Sequence, residues 1–137
     1  MAIVTMNRKI FEREIGKLDD KMLNKIAMFG TTVESLNEKE IEIEVFPNRP
    51  DLLSYHGFKR SFLIFLGKAS EKTSYNANKP EPNYRVNVDS SVKKIRPCIV
   101  CAIIKKLTLD DEKIKEIIEI QEKLHTTIGR KRKILIG

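Results

Sequence analysis

Charged and apolar residues alternate strictly from Glu40 to Val45, where the sequence reads EIEIEV. Successive side chains of a β-strand point to opposite faces, so this pattern predicts a half-buried strand with glutamates on one face. Pro47 and Pro50 follow the strand. Each lacks a backbone N–H and biases the preceding residue to extended conformations. The segment from Phe46 to Asp51 is therefore predicted to be a rigid turn.

The residues after this turn predict a helix. Ser54 is placed to cap its N-terminus, and Gly67 stands where a left-handed residue ends a helix. The apolar stripe of the helix consists of Tyr55, Phe58, Phe62, Phe65 and Leu66. Strand, turn and helix therefore form one predicted unit, with a structural turn made by Asn48, Arg49, Pro50 and Asp51.

The first 39 residues predict a short strand followed by two helices. Ala2 to Thr5 can form the strand, and Asn7 can cap the first helix. Asp19 or Asp20 can cap the second helix, whose predicted buried face consists of Met22, Leu23, Ile26 and Phe29. The residues from 31 to 39 predict a turn, with one or two strand residues as the alternative.

The composition changes after Gly67. Lys68 to Asn83, KASEKTSYNANKPEPN, has almost no large apolar residues and is predicted to be a linker, with a long surface loop as the alternative. Tyr84 to Asp89 alternates again, whereas Cys98 to Ile104 is apolar on both faces and predicts a strand at the centre of a larger sheet. A last helix is predicted to begin at Thr108 or Asp110 and to stop at Gly129.

The predicted fold class is α+β, with a small N-terminal α+β module at residues 1–67, a linker at 68–83 and a second domain at 84–137. The chain finishes on an apolar strand signal, Ile134 to Gly137, with no partner left in the sequence. A sheet rarely ends this way, so the second domain is expected to be the truncated start of a larger mixed α/β domain.

The composition indicates a globular protein. The 137 residues are 41% hydrophobic, and no apolar run approaches the roughly 18 residues that a membrane helix needs. A cytoplasmic location without a membrane is expected, because no signal peptide is apparent and two cysteines do not make a disulfide framework. The formal net charge of +7 fits a polyanionic partner, and it fits equally a lysine-rich surface that keeps the protein soluble.

Three patterns suggest a metal or catalytic site, and each has a simpler explanation. Cys98 and Cys101 have zinc or redox spacing but are interpreted as small buried hydrophobes, because no second ligand pair exists. Glu122 and His125 share a helix face, yet a metal bundle needs two such motifs. Asp51, Ser54 and His56 match the side-chain types of a hydrolytic triad, but they are chain neighbours and capping explains the first two. No catalytic residue and no metal ligand is predicted.

Two groups of basic residues are candidates for RNA contact. Arg130, Lys131, Arg132 and Lys133 follow a helix stop and could contact several phosphates, or they could form a solvated charge run. Arg49 could bind a phosphate with its planar fork, and the favoured alternative is an internal contact that locks the turn, either an ion pair with Asp51 or a hydrogen bond to a backbone carbonyl. The glycines occur singly, so no P-loop or dinucleotide motif is present.

Two separated blocks resemble the beta subunit of phenylalanyl-tRNA synthetase of the archaeal and eukaryotic type. The first is Asn48 to Ser54, NRPDLLS, followed by GFKRS and FLG, with an opening strand and Asn7 upstream. The second is Ile95 to Ala102, IRPCIVCA, with IQEKLH and IGRKR downstream, which is similar to the opening of that subunit's editing domain. The two blocks stand in the correct order and together touch most of the chain.

The resemblance implies the N-terminal part of a subunit of phenylalanine-tRNA ligase, the enzyme that attaches phenylalanine to its tRNA. It implies assembly with the alpha subunit and the rest of the beta subunit in a heterotetramer, tRNA contact, and the start of a proofreading domain. ATP and Mg²⁺ would serve the whole enzyme, and no cofactor is expected on this chain. A standalone basic RNA-binding module is the alternative, and a small hydrolase is the weakest hypothesis.

Overall fold

The computed structural model describes residues 2–70, 74, 76–129 and 135–137. The chain separates into two compact units. The first comprises Met1–Glu71 together with Asp110–Gly137, and the second comprises Lys72–Leu109.

The first unit is an α+β structure, which confirms the predicted fold class. Its strands are β1 (Ala2–Asn7), β2 (Thr32–Leu36) and β3 (Glu40–Val45). Its helices are α1 (Arg8–Glu14), α2 (Asp20–Met28), α3 (Tyr55–Phe65) and α4 (Asp111–Thr126), with a 3₁₀ turn at Pro50–Leu52.

The three strands form one antiparallel sheet in the order β1-β3-β2. β3 is central, and Ile43 pairs with Val4 on one side and with Val33 on the other. A register shift between Val33 and Ser35 places a bulge in β2. The bulge interrupts the alternation that makes a strand recognisable, so the sequence predicted mainly a turn where the structure has β2.

The core lies between one face of the sheet and the helices. β3 turns Ile41, Ile43 and Val45 into it, and these side chains are fully buried, as the alternation predicted. The other buried hydrophobic residues are Val4, Met6, Phe11, Ile15, Leu18, Ile26, Leu52, Leu53, Phe58 and Phe62. At about 25 cal/mol per Å² of apolar surface, burial on this scale is the main stabilising term of the unit.

The predicted helix caps are present. The side chain of Asn7 accepts a hydrogen bond from the backbone N–H of Ile10, and that of Asp19 accepts from Met22. Asp110 caps α4 in the same way, accepting from the N–H of Lys113. Each cap satisfies a backbone donor that would otherwise have no partner inside the helix.

α4 belongs to the same unit as the N-terminal elements, and Leu124 packs against their core. Beyond the end of α4, the backbone N–H of Ile136 donates a hydrogen bond of 2.9 Å to His125 Nε2. The sequence grouped this helix with residues 84–109 instead. The assignment of residues 84–137 to a separate domain stays a prediction.

The second unit contains a 3₁₀ turn at Ser90–Lys94 and, among its described residues, no strand. The predicted strands at Tyr84–Asp89 and Cys98–Ile104 are therefore wrong for this structure. Val100 is 97% exposed, and Cys98 and Cys101 are exposed as well. An apolar run becomes a strand only when a neighbouring strand supplies a hydrogen-bonded ladder, and no strand of the described part of the chain pairs with this segment.

Within the described residues, none of the helices is both long and apolar enough to cross a membrane.

Candidate functional site

The turn after β3 is held by backbone hydrogen bonds on both sides of Arg49. The N–H of Arg49 donates to the carbonyl of Phe46 at 3.0 Å, and its own carbonyl accepts from the N–H of Leu52 at 3.1 Å. Pro50 opens the 3₁₀ turn, where its fixed φ fits and its missing N–H leaves no donor unpaired. The turn is therefore a closed structure between β3 and α3.

The side chain of Arg49 forms a two-pronged ion pair with Asp51. Nε lies 3.0 Å from Asp51 Oδ1, and the second nitrogen lies 2.8 Å from Oδ2. The guanidinium also stands over the ring of Phe29, 5.2 Å from its centroid, and Ser61 donates to Asp51 at 3.3 Å. The hydrogen bond from Arg49 lowers the pKa of Asp51, and the same bond raises the pKa of Arg49.

This ion pair limits the hydrogen bonds that Arg49 can donate to a ligand. The Nε side of the guanidinium, one of the two edges that can bind a phosphate through paired N–H groups, already binds the carboxylate of Asp51. The structure thus contains the internal pair that the sequence favoured. An RNA contact by Arg49 stays a prediction, and it would have to use the donors that do not bind Asp51 or displace Asp51.

Ser54 and Gly57 join the turn to α3. Ser54 Oγ accepts a hydrogen bond of 3.0 Å from the N–H of Gly57, as the predicted cap requires. A Cβ added at Gly57 would lie 2.1 Å from the carbonyl oxygen of Asp51. Glycine is thus required by the close approach of the turn backbone to the helix.

A carboxylate network ties α1 to α3, and the sequence reasoning missed it. Tyr55 and Lys59 donate hydrogen bonds of 2.7 Å and 2.8 Å to the same oxygen of Glu14, and Arg13 donates a hydrogen bond of 2.8 Å to the other oxygen. The hydrogen bonds from Lys59, Tyr55 and Arg13 hold the pKa of Glu14 at about 2. Burial and the bond to Glu14 raise the pKa of Tyr55. Glu14 is 41 residues from Tyr55 and 45 residues from Lys59 along the chain, so no local sequence pattern predicts these pairs.

The three triad-type side chains have separate partners. Asp51 pairs with Arg49, Ser54 caps α3, and His56 Nε2 lies 3.6 Å from Glu116 Oε2 on α4. Because the hydroxyl and the carboxylate are both occupied by structural contacts, this arrangement provides no nucleophile with an adjacent base.

Glu116 lines an open cleft of about 350 Å³ between β1, Leu53–Tyr55 and α4. Its other oxygen, Oε1, is buried and accepts no hydrogen bond within the described residues. The α4 side of the cleft carries Glu112, Lys115, Glu116, Glu119 and Lys123. Acidic and basic groups are mixed there, so the cleft has no single charge preference.

His125 lies in the last turn of α4 and is buried. Nε2 accepts from the N–H of Ile136, so in the neutral imidazole Nδ1 carries the proton, and Nδ1 lies 3.5 Å from Glu122. Over the described residues, no group of three or more metal-ligating side chains is assembled. The burial predicted for Cys98 and Cys101 is wrong, because both side chains are exposed.

The other candidates for RNA contact, Arg130, Lys131, Arg132 and Lys133, lie outside the described residues. Their role stays a prediction.

Comparison with known proteins gives information about function that the geometry of these residues does not contain. No family model matches the chain. A curated phenylalanine-tRNA ligase beta subunit from Archaeoglobus fulgidus is 39% identical over 138 residues, covering 100% of this chain and 25% of that protein. The beta subunit from Methanopyrus kandleri is 38% identical over 140 residues, covering 97% of this chain and 23% of its own length.

A solved structure agrees with these relatives. The crystal structure of an N-terminal fragment of the phenylalanyl-tRNA synthetase beta subunit from Pyrococcus horikoshii matches with a TM-score of 0.76 and 29% identity, over 96% of this chain and 39% of that one. The predicted resemblance to the phenylalanyl-tRNA synthetase beta subunit is confirmed.

The likeness to beta subunits extends over both blocks that carried the prediction, the Arg49 turn and the region from Ile95 onwards. The chain spans about a quarter of the length of the curated beta subunits it matches.

Proposed function

We propose that this chain acts as the N-terminal region of a phenylalanine-tRNA ligase beta subunit, in an enzyme that attaches phenylalanine to its tRNA. The whole-chain similarity to curated beta subunits carries this proposal. The region serves assembly and tRNA contact and supplies the start of the proofreading domain. Adenylation belongs to other parts of the enzyme, where ATP and Mg²⁺ act, and the enzyme works in the cytoplasm.

The first unit supports a role as a scaffold. Its best-defined polar contacts are structural: the Arg49–Asp51 pair stabilises the turn, Ser54 caps α3, and the Glu14 network joins α1 to α3. A scaffold needs such contacts, whereas a catalytic centre needs polar groups that are free to meet a substrate.

The second unit supports a role in assembly. It exposes Ile99, Val100, Ile103 and Ile104, with Ile95 80% exposed close by. Apolar side chains in such number mark a surface that is covered in the assembled protein. In the proposed enzyme, the rest of the beta subunit covers them, and the alpha subunit joins the complex to complete a heterotetramer.

Co-purification tests this proposal. The chain is mixed with the alpha subunit of Archaeoglobus fulgidus and with that organism's beta subunit lacking the matching 138 residues. We expect the chain to be retained only when the shortened beta subunit is present. The matching segment of the Archaeoglobus protein serves as the positive control.

Two variants sharpen the test. Val100→Asp places a charge on the exposed apolar segment and is expected to reduce retention at least tenfold. Ile3→Asp, at a half-exposed position of the sheet, is the matched control and should leave retention unchanged. Failure of the unmodified chain to associate under any condition would contradict the proposed function.

The standalone RNA-binding module is supported less well. RNA-binding modules stack bases on exposed aromatic residues, but Phe58 and Phe62 are fully buried in the core. Salt-sensitive RNA binding by the chain, combined with no association with either subunit, would favour this alternative.

A further inference from the structure

Four basic side chains of the N-terminal elements are paired with neighbouring carboxylates. Arg8 pairs with Glu12, Arg13 and Lys59 pair with Glu14, and Arg49 pairs with Asp51. Their charges stabilise the fold locally and add little to the field outside the molecule.

Four lysines on or near α2 differ from these. Lys17, Lys21 and Lys25 are exposed, and within the described residues their ammonium groups form no ion pair or hydrogen bond. They follow one another at intervals of four residues, so Lys21 and Lys25 lie on the same face of α2 with a rise of about 6 Å between them.

Lys68 joins the same surface. Its ammonium donates a hydrogen bond of 2.8 Å to the carbonyl of Ile15, which lies beside the Gly16 turn that leads to Lys17. A carbonyl satisfies a hydrogen bond but leaves the positive charge uncompensated. Lys17, Lys21, Lys25 and Lys68 are called the basic ridge below.

The two acidic residues beside the ridge do not cancel it. Asp19 caps α2 and accepts from the N–H of Met22 at 2.9 Å, and Asp20 occupies the first helical turn. Both carboxylates lie at the positive end of the helix dipole, and two carboxylates against four lysines leave this surface with a net positive charge.

Negative charge collects on another surface of the same unit. β3 turns Glu40, Glu42 and Glu44 to the sheet face opposite the core, and Glu34 and Glu38 lie nearby along the chain. Lys39 is the one basic residue between positions 31 and 48. The surface at α2 is therefore basic and the outer face of β3 acidic, so a polyanion is attracted to the first and repelled by the second.

We propose that the basic ridge is a contact surface for the sugar-phosphate backbone of RNA, with the glutamate face of the sheet turned away from it. The proposal rests on the proposed function, in which the RNA is a tRNA. Lysine is depleted at protein-protein interfaces, which favour arginine and aromatic anchors, so a ridge made of lysines alone fits an RNA backbone better than an acidic protein. The contact fixes position and reads no bases.

The test measures binding of a fluorescent tRNA transcript to the 137-residue chain at several salt concentrations between 50 and 200 mM. Each lysine that contacts a phosphate contributes about 0.7–0.9 to the slope of log affinity against log salt. The double variant Lys21→Ala/Lys25→Ala is therefore expected to lower the slope by roughly 1.4–1.8 and to weaken binding roughly tenfold at the lowest salt.

Lys39→Ala, on the glutamate side, is the matched control and should leave slope and affinity unchanged. Circular dichroism verifies that all variants fold, which is expected because the substituted side chains are exposed. An unchanged slope in the double variant, an equal effect of Lys39→Ala, or no RNA binding by the chain would overturn the proposal.

Titration with polyglutamate separates RNA from an acidic protein. Loss of polyglutamate binding in the double variant, with tRNA binding intact, would overturn the proposal and assign the ridge to an acidic protein. Retention by the two synthetase subunits does not depend on these lysines, so failure of this proposal is distinguishable from failure of the proposed function.

Discussion

Gly57 shows how one residue can fix the relation between two elements. In an ordinary helix interior, replacing glycine with alanine gains about 1 kcal/mol. At Gly57 the added methyl group would lie 2.1 Å from the carbonyl oxygen of Asp51, and the backbone of the turn would have to move. We therefore expect Gly57→Ala to lower the free energy of unfolding by about 2 kcal/mol or more, measured by urea denaturation followed by circular dichroism.

Gly67→Ala is the control for this prediction. Gly67 has a φ of +68° and open space around it, so alanine there costs about 1 kcal/mol through backbone strain alone. A Gly57→Ala variant as stable as the unmodified chain would show that the turn and α3 are not in contact as described.

The single residue Glu14 is expected to make the stability of the fold depend on pH. Its pKa of about 2 in the folded chain lies below the ordinary value of 4.5, so its contribution to stability is fully present above about pH 4.5 and is lost as the pH falls towards 2. We expect Glu14→Gln to lower the midpoint of thermal unfolding at pH 6 and the difference from the unmodified chain to shrink between pH 4.5 and 2. Glu38→Gln, at an exposed hairpin position, should show no such trend, and a pH-independent difference for Glu14→Gln would contradict the network.

At the scale of the element, α3 has two unequal faces. Phe58 is fully buried against Phe11 and Phe29, with ring centroids 6.2 and 5.7 Å away, whereas Phe65 is 44% exposed. Phe58→Ala is expected to cost about 3–5 kcal/mol in guanidinium denaturation because it leaves a large cavity. Phe65→Ala removes the same group from a half-exposed site and should cost clearly less; equal costs would contradict the orientation of the helix.

The elements that the sequence predicted are those whose signals are local. The alternation of β3 and the caps at Asn7, Asp19 and Ser54 each lie within a few residues, and the structure contains all of them. β2 was largely missed because its bulge breaks the two-residue period. The contact of Arg49 with Phe29 and that of Glu14 with Lys59 were not predictable, since both depend on how distant elements pack.

At the scale of the whole molecule, the two units are expected to differ in protection. Amide protons of β3 and α3 should exchange slowly, whereas those from Cys98 to Ile104 should exchange at nearly unprotected rates, because no strand among the described residues is hydrogen-bonded to them. The thiols of Cys98 and Cys101 are exposed and should react with a thiol reagent as fast in the native chain as in urea. Protected amides in this segment would show that it forms the strand that the sequence predicted.

The alternation within β3 also determines where the chain tolerates a change of length. Asn37 closes the hairpin before β3 by accepting hydrogen bonds from the N–H groups of Lys39 and Glu40. Both neighbouring strands pair with β3, so their registers depend on its register. A single residue inserted within Glu40–Val45 would reverse the alternation that follows it, so that glutamates of β3 would face the core and apolar side chains would face water. Natural variation in length should therefore be absent from the hairpin through Gly57 and should collect in the segment between positions 76 and 83, where no helix or strand is interrupted.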